Sequence, residues 1–251
     1  MKKISSLMAL ALVSVMVLAS CRPSVIFSHL GGKTLEPSGK TVTKTYSNLD
    51  FQSIDFSAVG KVEFVQTAGG KCSVTITAPE NYIPIYIVKV EKGELKIYND
   101  DDYNINDDNI NIRISGPTLE SVDNSGVGKI KIANLKTSAL DIDNSGVGMI
   151  NINNLEATSV KVDNSGVGGV ELKGNASKVS IDCSGVGKID ARGLCAVTVD
   201  ADVSGVGGVT CYASGEITGS VSGVGSLKYA GAPKKKHLDS SGVGKIEEIN
   251  E

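Results

Sequence analysis

The sequence predicts an all-β fold: a parallel β-helix whose chain winds through rungs of about 18–20 residues. Three observations predict it. Ser-Gly-Val-Gly recurs seven times, beginning at Ser125, Ser145, Ser165, Ser184, Ser204, Ser222 and Ser241, with spacings of 20, 20, 19, 20, 18 and 19 residues. Apolar and polar residues alternate on both sides of each copy, the two-residue period of a strand with one buried face. Two such strands fill a repeat this short, which leaves no room for a helix and weighs against a leucine-rich repeat.

Composition agrees. The 251 residues include 29 Gly without the three-residue period of collagen, and hydrophobics at 41% exceed what a disordered chain carries. No apolar stretch of about 20 residues follows the first 18 positions, which excludes a polytopic membrane protein. A formal net charge of -3 argues against nucleic acid as a partner, because neutralising phosphates needs a basic face.

Residues 1–20 read as a signal: Met1-Lys2-Lys3 is basic, Ile4 to Leu18 is apolar, and small residues follow. Leu18-Ala19-Ser20-Cys21 resembles the bacterial lipobox, which makes Cys21 the expected lipidation site and a membrane the first expected partner. Each buried methylene of an attached acyl chain contributes about 0.8 kcal/mol, so several chains anchor stably. Residues 21–44 mix Gly, Pro, Ser and Lys without periodicity and read as a lipidated tether.

Residues 45–251 are expected to form a single β-helix domain. From 45 to 120 the strands are irregular and are expected to form wider rungs capping the N-terminal end. A degenerate corner at Ser57-Ala58-Val59-Gly60 belongs here, as does Glu91-Lys92-Gly93-Glu94, a hairpin-like turn or tight corner. From 121 to 251 the rungs are regular. Their glycines permit positive φ or close backbone approach at each corner. Just before each corner lies a column reading Asn124, Asn144, Asn164, Cys183, Val203, Val221 and Ser240. It turns apolar midway, so we place it inward, with the asparagines as a stacked amide ladder and an Asn-built binding site as the alternative. Four cysteines besides Cys21 permit three full pairings, but we expect free, buried thiols in Cys72, Cys183, Cys195 and Cys211. In the final strand, Glu247 and Glu248 near an open edge discourage end-to-end stacking.

The motif Phe51-x-x-Ile54-Asp55-Phe56-Ser57-Ala58-Val59-Gly60-Lys61-Val62-Glu63-Phe64, the turn Glu91 to Ile97 and the small-residue corners resemble the exported adhesin family with the head GIN domain, over about residues 45–250. The resemblance implies a right-handed parallel β-helix, a lipoprotein of the bacterial envelope, with the outer membrane expected, and adhesion. This chain departs from the family pattern by using Val at the third corner position throughout, where small polar residues are common in relatives.

A solenoid turns each repeat position into a surface line. Asp123, Asp143, Asp163, Asp182 and Asp202 form one. Carboxylates about 5 Å apart repel by roughly 0.8 kcal/mol per pair in water, so something must offset the charge. Two readings do so: Asx turns, each Asp accepting the N–H of the Ser two residues on, or a cation strip. Val127, Val147, Val167, Val186, Val206, Val224 and Val243 form another line. If alternation runs through the corner they face solvent as a contact ridge; if the corner breaks it, they enter the core. The loop Asn99 to Asp108 lacks EF-hand spacing and reads as a solvated excursion. Lys234 to Lys236 reads as a solvent-facing basic bulge. Tyr82, Tyr86, Tyr98 and Tyr103 are the aromatic residues that could stack on a sugar.

No nucleophile elbow, P-loop or dinucleotide fingerprint is present, and identical rungs offer no environment that pushes paired carboxylates apart in pKa. We therefore expect a non-enzyme with no cofactor and no metal of catalytic use. The expected function is an anchored binding or adhesion module, monomeric or a side-by-side dimer, whose partner is a glycan or an envelope protein. A structural scaffold or spacer is the alternative.

Overall fold

The computed structural model describes residues 33–100, 102–105 and 109–250. The expected signal, its lipidation site Cys21 and residues 101 and 106–108 of the acidic loop lie outside the described residues. Two units are present. In the smaller, β1 (Lys33–Leu35) pairs in parallel with β8 (Tyr103–Ile105). The larger is a β-solenoid in one continuous sheet.

In that sheet, β2 (Thr41–Leu49), β3 (Ser53–Ser57), β4 (Val59–Gln66), β5 (Cys72–Pro79), β6 (Tyr86–Glu91) and β7 (Glu94–Asn99) come first. Strands β9 (Asn111–Gly116), β10 (Ser121–Asn124), β11 (Val127–Lys136), β12 (Ala139–Asn144) and β13 (Val147–Asn164) follow. Then come β14 (Val167–Cys183), β15 (Val186–Val203), β16 (Gly208–Val221), β17 (Ser226–Ala230), β18 (Lys235–Ser240) and β19 (Lys245–Glu248). From β10 onward every rung lies in parallel register on the one before: Ile130 on Ile150, Ile150 on Val170, Val170 on Ile189, and Ile189 on Val209. These columns are buried and build a core of stacked aliphatic side chains.

The irregular N-terminal end has a definite construction. The degenerate corner is a regular rung: β3 and β4 stack directly on β10 and β11, with Val59 on Val127 and Gly60 on Gly128. The chain then leaves the stack and lays β7 and β9 on the far side of that rung, Leu95 on Ile54 and Ile112 on Val62, before returning to β10. Rung order therefore differs from chain order. Antiparallel strands close this end: β6 pairs with β7, β5 with β9, and β2 with β5. The expected turn at 91–94 is a two-residue hairpin, with Lys92 at φ 53° and Gly93 at φ 83°, the left-handed pair such a turn requires. Strand β2 begins at Thr41, so paired structure starts inside the stretch read as tether.

The corners show why glycine recurs. A Cβ on Gly148 would lie 1.8 Å from the carbonyl oxygen of Gly128, and one on Gly146 would lie 2.2 Å from that of Gly126. The same overlap recurs up the stack, so close backbone approach excludes a side chain there. Backbone conformation is the lesser reason: among the SGVG glycines only Gly168 has a φ, 138°, in the region side chains avoid. The approach is held by hydrogen bonds. The carbonyl of Asn124 accepts the N–H groups of both Ser145 and Gly146, and that of Asn164 accepts those of Ser184 and Gly185. Each corner is thereby fastened to the rung before it.

The inward column forms the expected amide ladder. Asn124, Asn144 and Asn164 are buried; Asn124 Nδ2 donates to Asn144 Oδ1 at 2.7 Å, and Asn144 Nδ2 to Asn164 Oδ1 at 2.7 Å. The ladder stops at Cys183. All four cysteines in the described residues are free, but Cys195 is exposed rather than buried. Leu194 and Ala196 turn inward on either side of it, which sends its thiol outward. The last described rung carries a polar pair, Lys236 and Glu248. Lys236 lies on Ile217 and Glu248 on Tyr229, both inward positions, so Glu248 stands at the open edge over the column of Tyr229.

Candidate functional site

Alternation continues through the corner. Asn124 and Gly126 turn inward, so Val127 and its equivalents face solvent, with exposures from 51% at Val147 to 83% at Val243. Each valine N–H bonds to a corner carbonyl of the rung before, that of Val127 to Ala58 O at 2.9 Å and the others to a glycine, as Val186 N–H is to Gly166 O at 3.0 Å. Seven valines at the spacing of adjacent strands make a ridge roughly 29 Å long. Beside it the Ser and Gly corner positions form a shallow open trough of about 660 Å³, running from Ser125 to Val224. Serine hydroxyls and apolar methyls thus alternate across one narrow face.

The aspartate line also lies on the surface, but the expected Asx turns are not what the corners use. The N–H of Ser145 goes to Asn124 O, that of Ser184 to Asn164 O and that of Ser204 to Cys183 O. The preceding rung takes the donor the aspartate would need. Asp182 retains a side-chain bond to Ser184, Asp163 pairs with Lys161 at 2.6 Å, and Asp202 accepts from Ser220 at 2.5 Å. Partial burial, and after it the charge of Asp143 and Asp55, push the Asp123 carboxyl up to about 6. Asp143 and Asp182 are raised for the same two reasons, burial first and then neighbouring aspartates. Among the described residues no group of three or more His, Cys, Asp or Glu side chains is placed to hold a metal ion.

A second hollow was not visible as a motif. It has a volume of about 610 Å³ and is lined by β4, β5, β9 and β11. Lys61 lies on Lys129, and Glu63 lies between Arg113 and Lys131 in the next column. Arg113 Nη1 meets Glu63 Oε2 at 2.5 Å. Thr75 and Thr77 flank Arg113 and Asn111 from the antiparallel β5. These residues come from four segments, and only the register of the degenerate corner at 57–60 aligns Lys61 with Lys129. Of the tyrosines, Tyr82 and Tyr86 are buried in the N-terminal core, and Tyr86 Oη donates to Val59 O, so neither offers an open ring face.

Comparisons place this architecture. The family model described as putative auto-transporter adhesin, head GIN domain, matches residues 50–233. A putative adhesin from Bacteroides fragilis NCTC 9343 is 37% identical, with a TM-score of 0.83 over 87% of this chain and 100% of that one. A putative lipid binding protein from Parabacteroides distasonis ATCC 8503 is 22% identical, TM-score 0.68, over 86% of this chain and 100% of that one. A putative adhesin from Parabacteroides merdae ATCC 43184 is 19% identical, TM-score 0.65, over 87% and 100%. The last two show a shared fold. Comparison with curated proteins finds no match. The match over residues 50–233 and the 37% identical structure establish that the chain belongs to the putative auto-transporter adhesin, head GIN domain family.

Proposed function

We propose that the chain is a binding or adhesion module of the bacterial envelope, anchored through lipid on Cys21, that presents its corner face to a glycan or an envelope protein. The observation that carries this reading is the ridge of seven outward valines. A contiguous apolar line along a solenoid is costly to leave in water, and it supplies a repeating contact surface. The family description, adhesin, and the β-solenoid fold suggest a non-enzyme. Membrane attachment rests on the lipobox-like Leu18 to Cys21; among the described residues no helix is long and apolar enough to cross a membrane.

Val167→Ser with Val186→Ser tests the ridge. Both side chains are more than half exposed, so the melting temperature should hold while binding of the chain to isolated envelopes falls. Unchanged binding would overturn the reading and favour a spacer. Replacing Cys21 by Ser should release the chain from the membrane fraction, and protease shaving of intact cells reports which side it faces.

A further inference from the structure

We propose that the corner face pairs two copies of this chain side by side on one membrane, each seating its valine ridge in the other's Ser-Gly trough. The proposal rests on the reading of that face as a contact surface and names its partner, a second copy.

Shape carries the proposal. The trough has buried glycines such as Gly146 and Gly166 as its floor, the exposed serines as a low wall and the exposed valines as a high one. Ridge and trough therefore lie beside each other, and both repeat rung for rung, because each corner is bonded in register to the one before. A partner that fills the trough along its whole length must repeat at the same ~4.8 Å interval. A second solenoid does so, and its own ridge is the element that fits. A sugar suits this face less well: valine side chains carry no hydrogen-bonding group and no aromatic ring lines the trough, so hydroxyls set against the ridge lose water without replacement.

Two twofold arrangements lay these faces together. With the solenoids antiparallel, ridge meets ridge and trough meets trough, which leaves both troughs open. The exposed Asp143, Asp182 and Asp202 of the two copies then line the same flank and repel. With the solenoids parallel, each ridge enters the other's trough, and the two aspartate lines fall on opposite flanks of the pair. Shape and charge both select the parallel form. It sets matching rungs level and brings the two N-terminal ends together, as two chains anchored through Cys21 in one membrane require. A strip ~29 Å long and four residues, ~14 Å, wide covers roughly 400 Å² per copy, about half of what a free-standing complex buries. The pair is therefore weak in solution, and shared anchoring raises the effective concentration that holds it together.

The test uses the full chain in membranes isolated from producing cells, with Cys195→Ser to remove the exposed native thiol and a short bis-maleimide as cross-linker. Val147 is the second of the seven valines and Val224 the sixth, so each lies off the middle of the ridge. Val147→Cys should cross-link with itself and not with a tagged Val224→Cys chain, whereas the antiparallel form gives the reverse. Lys178→Cys, exposed away from the corner, should give background only. Adding Val167→Ser with Val186→Ser should cut the Val147→Cys product about fivefold or more, since both lie at the centre of the contact. A Val147→Cys product no greater than that of Lys178→Cys, a product the two serines leave unchanged, or preferential cross-linking of Val147→Cys to Val224→Cys would overturn the proposal. Loss of envelope binding in the serine variant with no Val147→Cys product would also overturn it, while leaving the corner face as the contact surface for a glycan or a different envelope protein. If the serines change neither envelope binding nor cross-linking, both readings fall.

Discussion

Lys236 Nζ meets Glu248 Oε2 at 2.8 Å across the last described rung, at two positions where the preceding rung carries Ile217 and Tyr229 facing inward. The ammonium also lies over the Tyr229 ring, 5.5 Å from its centre. Each partner favours the other's charge: the hydrogen bond from Lys236 is the main cause holding the Glu248 carboxyl below its ordinary value, and the same bond is the main cause raising Lys236. The last described rung thus carries an ion pair over an aromatic ring where the rungs before it carry apolar side chains.

Lys236→Leu with Glu248→Leu should convert that pair into an apolar edge. The expected outcome in sedimentation velocity is association that depends on concentration more strongly than the parent's does. The exchanged pair, Lys236→Glu with Glu248→Lys, should restore the original behaviour. A leucine variant that sediments as the parent does at every concentration would remove the pair from the account.

Corner glycines test the close approach of rungs. Gly148→Ala puts a methyl group 1.8 Å from Gly128 O, a rigid backbone atom, so the rungs must part and the bonds beside them lengthen. We expect a loss of about 3 kcal/mol or more in urea unfolding. Gly39→Ala, where a Cβ meets nothing within 4 Å, should change stability by less than about 0.5 kcal/mol. Equal effects at the two positions would contradict the packing explanation.

What could be read in the sequence was whatever the repeat itself encodes. Alternation fixed the inward columns, and a column that passes from Asn to Cys to Val could only be interior. The outward valines followed once alternation was carried through the corner. The out-of-order rung could not be read, because β7 and β9 carry no corner motif and their pairing with β3 and β4 spans an excursion. The second hollow depends on that excursion, since Arg113, Asn111 and Thr75 reach Lys61 only through it. The Asx turns failed for a local reason: the serine N–H had a better acceptor, a backbone carbonyl one rung away.

Asp123 predicts a pH dependence. Its folded carboxyl is raised from 3.8 to about 6 by burial and then by Asp143 and Asp55. The folded chain therefore holds this proton more tightly than the unfolded chain, and stability falls as pH rises from about 4 to about 6. Above that window the charged form opposes folding. Asp123→Asn should stabilise the chain at about pH 7 by roughly 1 kcal/mol, allowing for solvent screening of a half-exposed group. The gain should vanish below about pH 3.5, where the parent carboxyl is neutral. A gain independent of pH would point to a cause other than charge.

The amide ladder makes the sharpest test of how the interior tolerates polarity. Asn144 accepts from Asn124 and donates to Asn164, so Asn144→Val strands an amide group on each side. Each stranded group costs about 1–3 kcal/mol, which gives a single-variant loss of roughly 2–4 kcal/mol. Replacing Asn124, Asn144 and Asn164 together by Val removes every member, including Asn124 Oδ1 and Asn164 Nδ2, which have no partner at the ladder's ends. Val203 and Val221 already fill the same column higher in the stack with exposures of 1%. The triple variant should therefore unfold within about 1 kcal/mol of the parent, while the single variant is far weaker. Additive losses, with the triple variant the least stable, would mean that the asparagines contribute individually to the corners rather than as one chain of bonds.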